Sequence, residues 1–571
     1  MRMLRRWGLG GLIWAALSAP SFAVEPEAPE ALVTRLDAVR SLILERLDAK
    51  GKGALNLPKD QKAQLAEHYA QPDSLVWVEE SGLSPRAADA AAAFAAAADW
   101  GLDPAAYAAP SASGYDASAP DAARWLAEAE LDMTLAVYAY AQHAQTGRVS
   151  PQTLGEFIDF SPKPPALPDV LAAAVRPGGL ETFHPKHPQF LALKDKLAES
   201  RRTRETATKT VTIPAGPNIK PGAEHPHVAL VRERLEAPAP ADGRLTAYDP
   251  DLVDRVKAFQ KAQGLSDTGV IGSATRDAMN GGARRGASER DLLVNMERWR
   301  WIPGDLGRMH VMVNIPEFQF WVMKNGAVIH RERIITGKVE HMTPSFSDEM
   351  EFVVLNPTWH VPESIKLNEI LPVLRRNPSY LDKQGLEVFY AGQRRPLNAY
   401  ETDWYAVDPD KLSISQPPGD GNALGKVKFL FPNKHAVYMH DTPTKNLFNQ
   451  TVRTFSHGCM RVRDPLKFAQ VVLGEQGWTP ARMQQELALG KESSITLERK
   501  IPVHVMYVTV WVDEDGQART IRDVYGHDKV LAGELGLGPK TPFVRKVAPK
   551  PEYAAEPPTR KKPSSGFFWF N

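Results

Sequence analysis

The spacing of apolar residues changes period along the chain, and the changes mark out its parts. Leu32, Leu36, Val39, Ile43 and Leu47 recur at three- and four-residue intervals, which predicts an amphipathic helix within residues 24–60. The helical period continues over residues 61–200. The alanine-rich run 87–98 is strongly helix-forming, and Gly101-Leu102-Asp103-Pro104 breaks it. Leu126, Leu131, Leu135 and Tyr138 are the candidate core of a long helix that Gly147 stops. Polar residues 203–223 read as a linker or extended segment. Within residues 225–281 three short helices follow, marked by Val228, Val231 and Leu235, by Leu252, Val256 and Phe259, and by residues 273–279.

From residue 308 the period becomes two. His310, Met312 and Asn314 alternate with Val311, Val313 and Ile315, and Phe318, Phe320 and Val322 carry the alternation on. Asn325-Gly326 predicts a tight hairpin turn, with residues 327–336 as the return strand. Residues 351–355 are a further strand. Residues 363–428 interrupt the sheet with a helix near residues 367–374, a proline-rich stretch and glycines at 419–425, and are read as an inserted lid. A short strand at residues 436–440 places Tyr438 and His440 on one face. Asp464-Pro465 and Thr479-Pro480 each open a helix, with the polar residue as cap. Residues 504–525 close the sheet as a hairpin.

Composition narrows the function. The formal net charge is +1 over 571 residues, so no global field recruits nucleic acid. Residues 1–23 read as a secretory signal, with Arg2, Arg5 and Arg6, an apolar core at 9–17, and Ser21-Phe22-Ala23 at the cleavage positions. That core is short of the ~20 residues needed to cross a bilayer, so no stable transmembrane segment is expected after signal removal. A single cysteine cannot form an internal disulfide, so packing must hold the exported fold. Residues 529–571 are basic and proline-rich and are expected to be a disordered tail.

The candidate chemistry lies in Ser456-His457-Gly458-Cys459-Met460-Arg461, with Tyr438-Met439-His440 upstream and fifteen residues between His440 and Ser456. Cys459 is the sole cysteine. A thiol nucleophile needs a base and an electropositive setting. His440 can approach from a separate strand, whereas adjacent His457 diverges in an extended loop or serves as a brace; both are candidate bases, with His440 preferred. Backbone N–H groups at Gly458 and Cys459, with the Tyr438 hydroxyl, are candidates for an oxyanion site. Ser456 reads as a loop brace, and the carbonyl at Asp441 as a group that orients His440. Arg461 suits a substrate carboxylate or a structural ion pair. Trp359 and His360 are candidate donor-pocket walls. One cysteine and two histidines lack a zinc ligand set, and no phosphate-binding glycine loop occurs, so neither metal nor cofactor is expected.

His440, the gap, and Ser456-His457-Gly458-Cys459 resemble the L,D-transpeptidase catalytic domain of the YkuD type, and the whole chain resembles the large periplasmic, YcbB-like members. Phe259-Gln260, Gly264-Leu265 and Gly269-Val270-Ile271-Gly272 with Thr275 resemble a three-helix peptidoglycan-binding module. The resemblance implies a multidomain α+β chain. Residues 24–212 would be an all-helical scaffold domain, 213–285 the binding module, and 286–528 a mainly antiparallel β catalytic domain with its lid. It further implies a periplasmic enzyme that joins peptidoglycan stem peptides through 3→3 links by a Cys459 thioester, with a tetrapeptide donor and a stem-peptide acceptor. Hydrolysis of the same acyl-enzyme, or wall binding alone, are the rival readings. Carbapenems are the covalent inhibitors it implies. The sequence assigns no protein partner.

Overall fold

The computed structural model describes residues 34–50, 55–206, 211–263, 265–280 and 287–541. The expected signal segment and most of the expected tail lie outside the described residues. The chain divides into two compact units. One comprises the chain up to Ser84 together with Ser111–Leu131, and the other comprises Pro85–Pro110 and the chain from Asp132.

In the first unit, helix Arg35–Asp48 begins at a capping box in which Thr34 and Asp37 satisfy each other's backbone N–H groups. It buries Val39, Ile43 and Leu47, the stripe that the sequence pattern predicts. Strands β1 (Val78–Glu79) and β2 (Gly82–Leu83) form a small ribbon. The carboxylate of Glu130 accepts the N–H groups of Val76, Trp77 and Val78 at 2.9, 2.7 and 3.1 Å.

The second unit continues the helical region and then builds the sheet. Gly147, at φ 87°, ends the helix Ala122–Thr146, whose residues from Asp132 onward belong to this unit. A short strand, β3 (Ile158–Asp159), interrupts the helical run and joins the main sheet. Helices Pro226–Arg234, Pro250–Ala262 and Ser273–Met279 form a small bundle. Its core holds Val228, Val231, Leu252, Val256 and Ile271. Gln260 pins it: its amide donates to the Val270 carbonyl and to Thr275 Oγ1, both at 2.9 Å, and accepts the Gly269 N–H at 2.9 Å.

The main sheet draws on β4 (Met309–Asn314), β5 (Gln319–Lys324), β6 (Ala327–Gly337) and β7 (Ser345–Leu355). The insertion carries its own three-stranded sheet of β8 (Trp359–His360), β9 (Glu387–Tyr390) and β10 (Leu412–Gln416). The main sheet resumes with β11 (Val427–Leu430), β12 (Met439–His440), β13 (Thr454–Ser456), β14 (Met460–Val462) and β15 (Ser493–Met506). Its order is β11-β12-β14-β6-β5-β4-β15-β7-β3, with β13 beside β6. Most pairs are antiparallel; β12–β14, β13–β6, β15–β4 and β3–β7 are parallel. The β5–β6 turn has the left-handed pair expected for Asn325-Gly326, at φ 51° and 80°.

Apolar layers cover both sides of the central strands. Val311, Val313, Phe320, Met350, Phe429, Met439 and Met460 pack with helix Pro465–Gly474 on one side. Met312 and Trp321 pack with Trp299, Phe190 and Leu531 on the other. Every position of β4 is therefore buried. Each large side chain so enclosed contributes roughly 1.5–3 kcal/mol.

Three expectations change. Val427 and Lys428, read as the end of the lid, are main-sheet residues, because β11 pairs with β7 on one side and β12 on the other. The hairpin expected to close the sheet is a separate ribbon of β16 (Val510–Val512) and β17 (Ala518–Thr520), tied back by the Asn295 side chain accepting the Thr509 and Val510 N–H groups. The tail expected from residue 529 begins instead with helix His527–Glu534, whose Leu531 and Ala532 are buried in the core.

Candidate active site

Three neighbouring strand segments build the site. In the parallel pair β12–β14, Met439 faces Met460 and His440 faces Arg461. The register extends one residue back, where the Met460 N–H donates to the Tyr438 carbonyl at 3.0 Å, so Tyr438 lies opposite Cys459. In the antiparallel pair β11–β12, Lys428 faces His440 and Phe429 faces Met439. Side chains alternate across a sheet. Phe429, Met439 and Met460 are fully buried in the core. Lys428, Tyr438, His440, Cys459 and Arg461 therefore share the opposite face.

The Cys459 thiol donates to the Ala436 carbonyl at 3.9 Å, and Tyr438 lies beside the sulfur, its backbone N–H and hydroxyl favouring the thiolate. Burial pushes the thiol up; the Tyr438 donors and the charges of Lys428 and Arg461 oppose that rise. Tyr438 is raised well above the usual phenol range, by burial first and by the neighbouring sulfur second.

His440 is buried, and its Nδ1–H donates to the Asp441 carbonyl at 2.5 Å. Nε2 is left as the acceptor. Burial lowers the imidazole to about 3, helped by Arg461, Lys428 and Lys445, so the ring is neutral at physiological pH. The Asp441 carboxylate accepts the Lys426 N–H at 2.8 Å and the Thr442 N–H at 2.7 Å and pairs with Lys445 at 2.6 Å. Its carbonyl is thereby held beneath the histidine. Gly425, at φ 60°, makes room: a Cβ there would lie 2.3 Å from that carboxylate.

The cysteine loop is braced from within. Ser456 Oγ donates to the Cys459 carbonyl at 2.5 Å and accepts the Gly458 N–H at 3.2 Å. The Gly458 carbonyl accepts from Thr343 Oγ1 at 2.7 Å, and Gly458 adopts φ 113°, which favours glycine. Gly458 N–H is therefore occupied, while the Cys459 N–H has no protein partner among the described residues.

The partners of His457 lie outside this row. Its Nε2 lies 2.7 Å from Glu369 of the insertion, and its ring is 4.7 Å from that of His341. Arg461 makes no ion pair with a carboxylate among the described residues. Its Nε is buried without a partner. Trp359 and His360 form β8, which pairs with Ser415 and Gln416 of the insertion, and Trp359 packs against the insertion's own core. The sequence reading missed Lys428 and Glu369. A lysine between Val427 and Phe429 at strand spacing is the signal for the first. Nothing local marks the second, because its partner lies far away in sequence.

Residues 308–504 match the family model described as "L,D-transpeptidase catalytic domain", residues 63–197 match "Scaffold domain", and residues 224–279 match "Putative peptidoglycan binding domain". A Haemophilus influenzae protein named "Putative L,D-transpeptidase" is 33% identical over 243 residues, which are 42% of this chain and 48% of that protein. The chain thus spans about half the length of the curated relative it matches. Two solved structures share smaller likenesses. The "Ldtfm-avibactam carbamoyl enzyme" is 13% identical with a TM-score of 0.16, over 35% of this chain and 49% of that one. An L,D-transpeptidase from Xylanimonas cellulosilytica is 16% identical with a TM-score of 0.15, over 51% and 98%. The β-rich part of the chain at residues 308–504 is thus similar to the L,D-transpeptidase catalytic domain of the YkuD family, and residues 224–279 of the same chain are similar to a peptidoglycan-binding domain.

Proposed function

We propose that this chain forms 3→3 cross-links between peptidoglycan stem peptides, in the periplasm, through a thioester at Cys459. The observation that carries the reading is the row Lys428, Tyr438, His440, Cys459 and Arg461 on one sheet face, set by the β11–β12 and β12–β14 registers. His440 Nε2 takes the thiol proton. The thiolate attacks the carbonyl of the donor's third residue, and the Cys459 N–H donates to the resulting oxyanion. Collapse breaks the peptide bond, His440 returns the proton to the leaving nitrogen, and D-alanine departs. A side-chain amine of a second stem peptide then attacks the thioester, forming the new amide and freeing the thiol. Arg461, unpaired on this face, suits a stem-peptide carboxylate. Residues 224–279 would hold the chain on its polymeric substrate.

Tetrapeptide-bearing muropeptides incubated with the full chain, beside Cys459→Ala, test this by mass spectrometry. A cysteine-dependent dimer with released D-alanine is expected. Tripeptide monomers without dimers would replace the transferase by a hydrolase, and no cysteine-dependent product would remove the reading. A carbapenem should leave a stable mass adduct on Cys459 and none on the alanine variant.

A further inference from the structure

The two histidines beside the nucleophile are held in opposite tautomers. His440 donates through Nδ1 to Asp441 and is enclosed, with 6% of its surface exposed. The His457 ring has Glu369 as its hydrogen-bond partner among the described residues, through Nε2, and 30% of its side chain is exposed. With Nε2–H given to the carboxylate, the lone pair sits on Nδ1. Glu369 comes from the insertion, on the helical turn Lys366–Ile370, while His457 precedes the nucleophile by two residues. The other charged or titratable groups facing His457 are His341 and Lys338, both from the β6–β7 connection.

We propose that His457 is the general base for the acceptor amine, and that Glu369 is the insertion's positioning residue for it. The inference rests on the transpeptidase reading above. Acyl transfer makes two different demands. The thiol proton can be taken inside a closed pocket, which suits His440. An incoming amine needs an open approach and must lose a proton as its nitrogen bonds the acyl carbon, which suits His457. In the step, nitrogen attacks the thioester carbonyl and the C–N bond forms. The nitrogen's proton passes to His457 Nδ1, and the C–S bond breaks with its electron pair on sulfur. Tyr438, Lys428 and Arg461 hold the released thiolate. The Glu369 carboxylate stabilises the imidazolium until the proton leaves to solvent.

The test follows both half-reactions in the full chain, with D-alanine release for the donor step and dimer formation for the acceptor step. His457→Gln and Glu369→Gln should slow the acceptor step at least about tenfold more than the donor step. Glu369→Asp should restore most of that loss. The acceptor step's dependence on pH should change in Glu369→Gln, a change that a merely structural role would not produce. Equal slowing of both steps, or of neither, overturns the inference, while Cys459-dependent dimers from the unaltered chain keep the parent reading. A second measurement stands independently of turnover. Nitrogen-15 spectra of the histidines should show the Nε2–H tautomer at His457, released in Glu369→Ala, which removes the acceptor; an Nδ1–H tautomer in the unaltered chain overturns the proposal.

Discussion

Lys428 and His440 stand directly across from each other on antiparallel strands, and both side chains lie on the face that carries the Cys459 thiol. Lys428 Nζ sits 4.9 Å from the centre of the Tyr438 ring, and the lysine's charge favours the Cys459 thiolate. Burial lowers the lysine from its ordinary range, and the charges of Glu492 and the thiolate act against that. The cation is therefore part of what sulfur experiences, and it makes thiolate formation less costly.

Replacing Lys428 with Met should raise the thiol further and slow alkylation of Cys459 by iodoacetamide at pH 7, by at least about threefold, through the smaller thiolate fraction. Lys428→Arg should keep most of the rate. A pH series of alkylation rates reads the effect, and an unchanged profile in Lys428→Met would refute it.

Buried histidines make the fold acid-sensitive. Burial lowers His143 and His504 to about 4 and His440 and His527 to about 3. In the unfolded chain these rings titrate near about 6.5. As pH falls below that, the unfolded chain binds protons that the folded one refuses, so stability declines towards pH 4. His527→Gln should flatten the decline by about one proton between pH 6.5 and 4, measured by urea unfolding at several pH values.

Gly425→Ala places a Cβ 2.3 Å from the Asp441 carboxylate in a left-handed conformation. A stability loss of about 2–4 kcal/mol is expected in denaturant unfolding, from strain and from displacement of the anchored carboxylate. Turnover should fall as well, because the same residue's carbonyl orients His440.

Gln260→Leu removes three hydrogen bonds from inside the small bundle and leaves the Gly269 N–H and Val270 carbonyl without this partner. A loss of about 1–3 kcal/mol is expected for that bundle. Retention on purified peptidoglycan should fall in the same variant, while alkylation of Cys459 is unchanged.

The legible parts of this molecule are those in which a residue's neighbours in space are also its neighbours in sequence. Phe259-Gln260 with Gly269 and Thr275 is such a case: the glutamine that reads as a motif is the one whose amide ties the turn. The two-residue period separated Tyr438 and His440 from Met439, and the structure puts Met439 in the core. Capping by Asp464 and Thr479 was equally visible. Lys428 was lost because a long insertion precedes its strand, and the first residues after an interruption carry too short an alternation to be read. Glu369 could not be found at all. Its contact with His457 depends on how an independently folded insertion returns over the sheet. The helix at residues 527–534 was missed for a related reason: a basic, proline-rich sequence follows it closely and masks two buried apolar positions.

Both ends of the insertion leave from strands that are already bonded to each other. Val427 pairs with Leu355, and the Asn356 N–H donates to the Lys426 carbonyl at 2.9 Å. Topologically, residues 357–425 are an enlarged hairpin loop. A turn of ordinary length could close the same pair of strands without breaking a ladder. Such a gap is where a fold can gain or exchange a subdomain between generations at little cost to its sheet. Lineages that swapped this piece would keep the thiol and its strand-borne partners, and would change with it the carboxylate presented to His457.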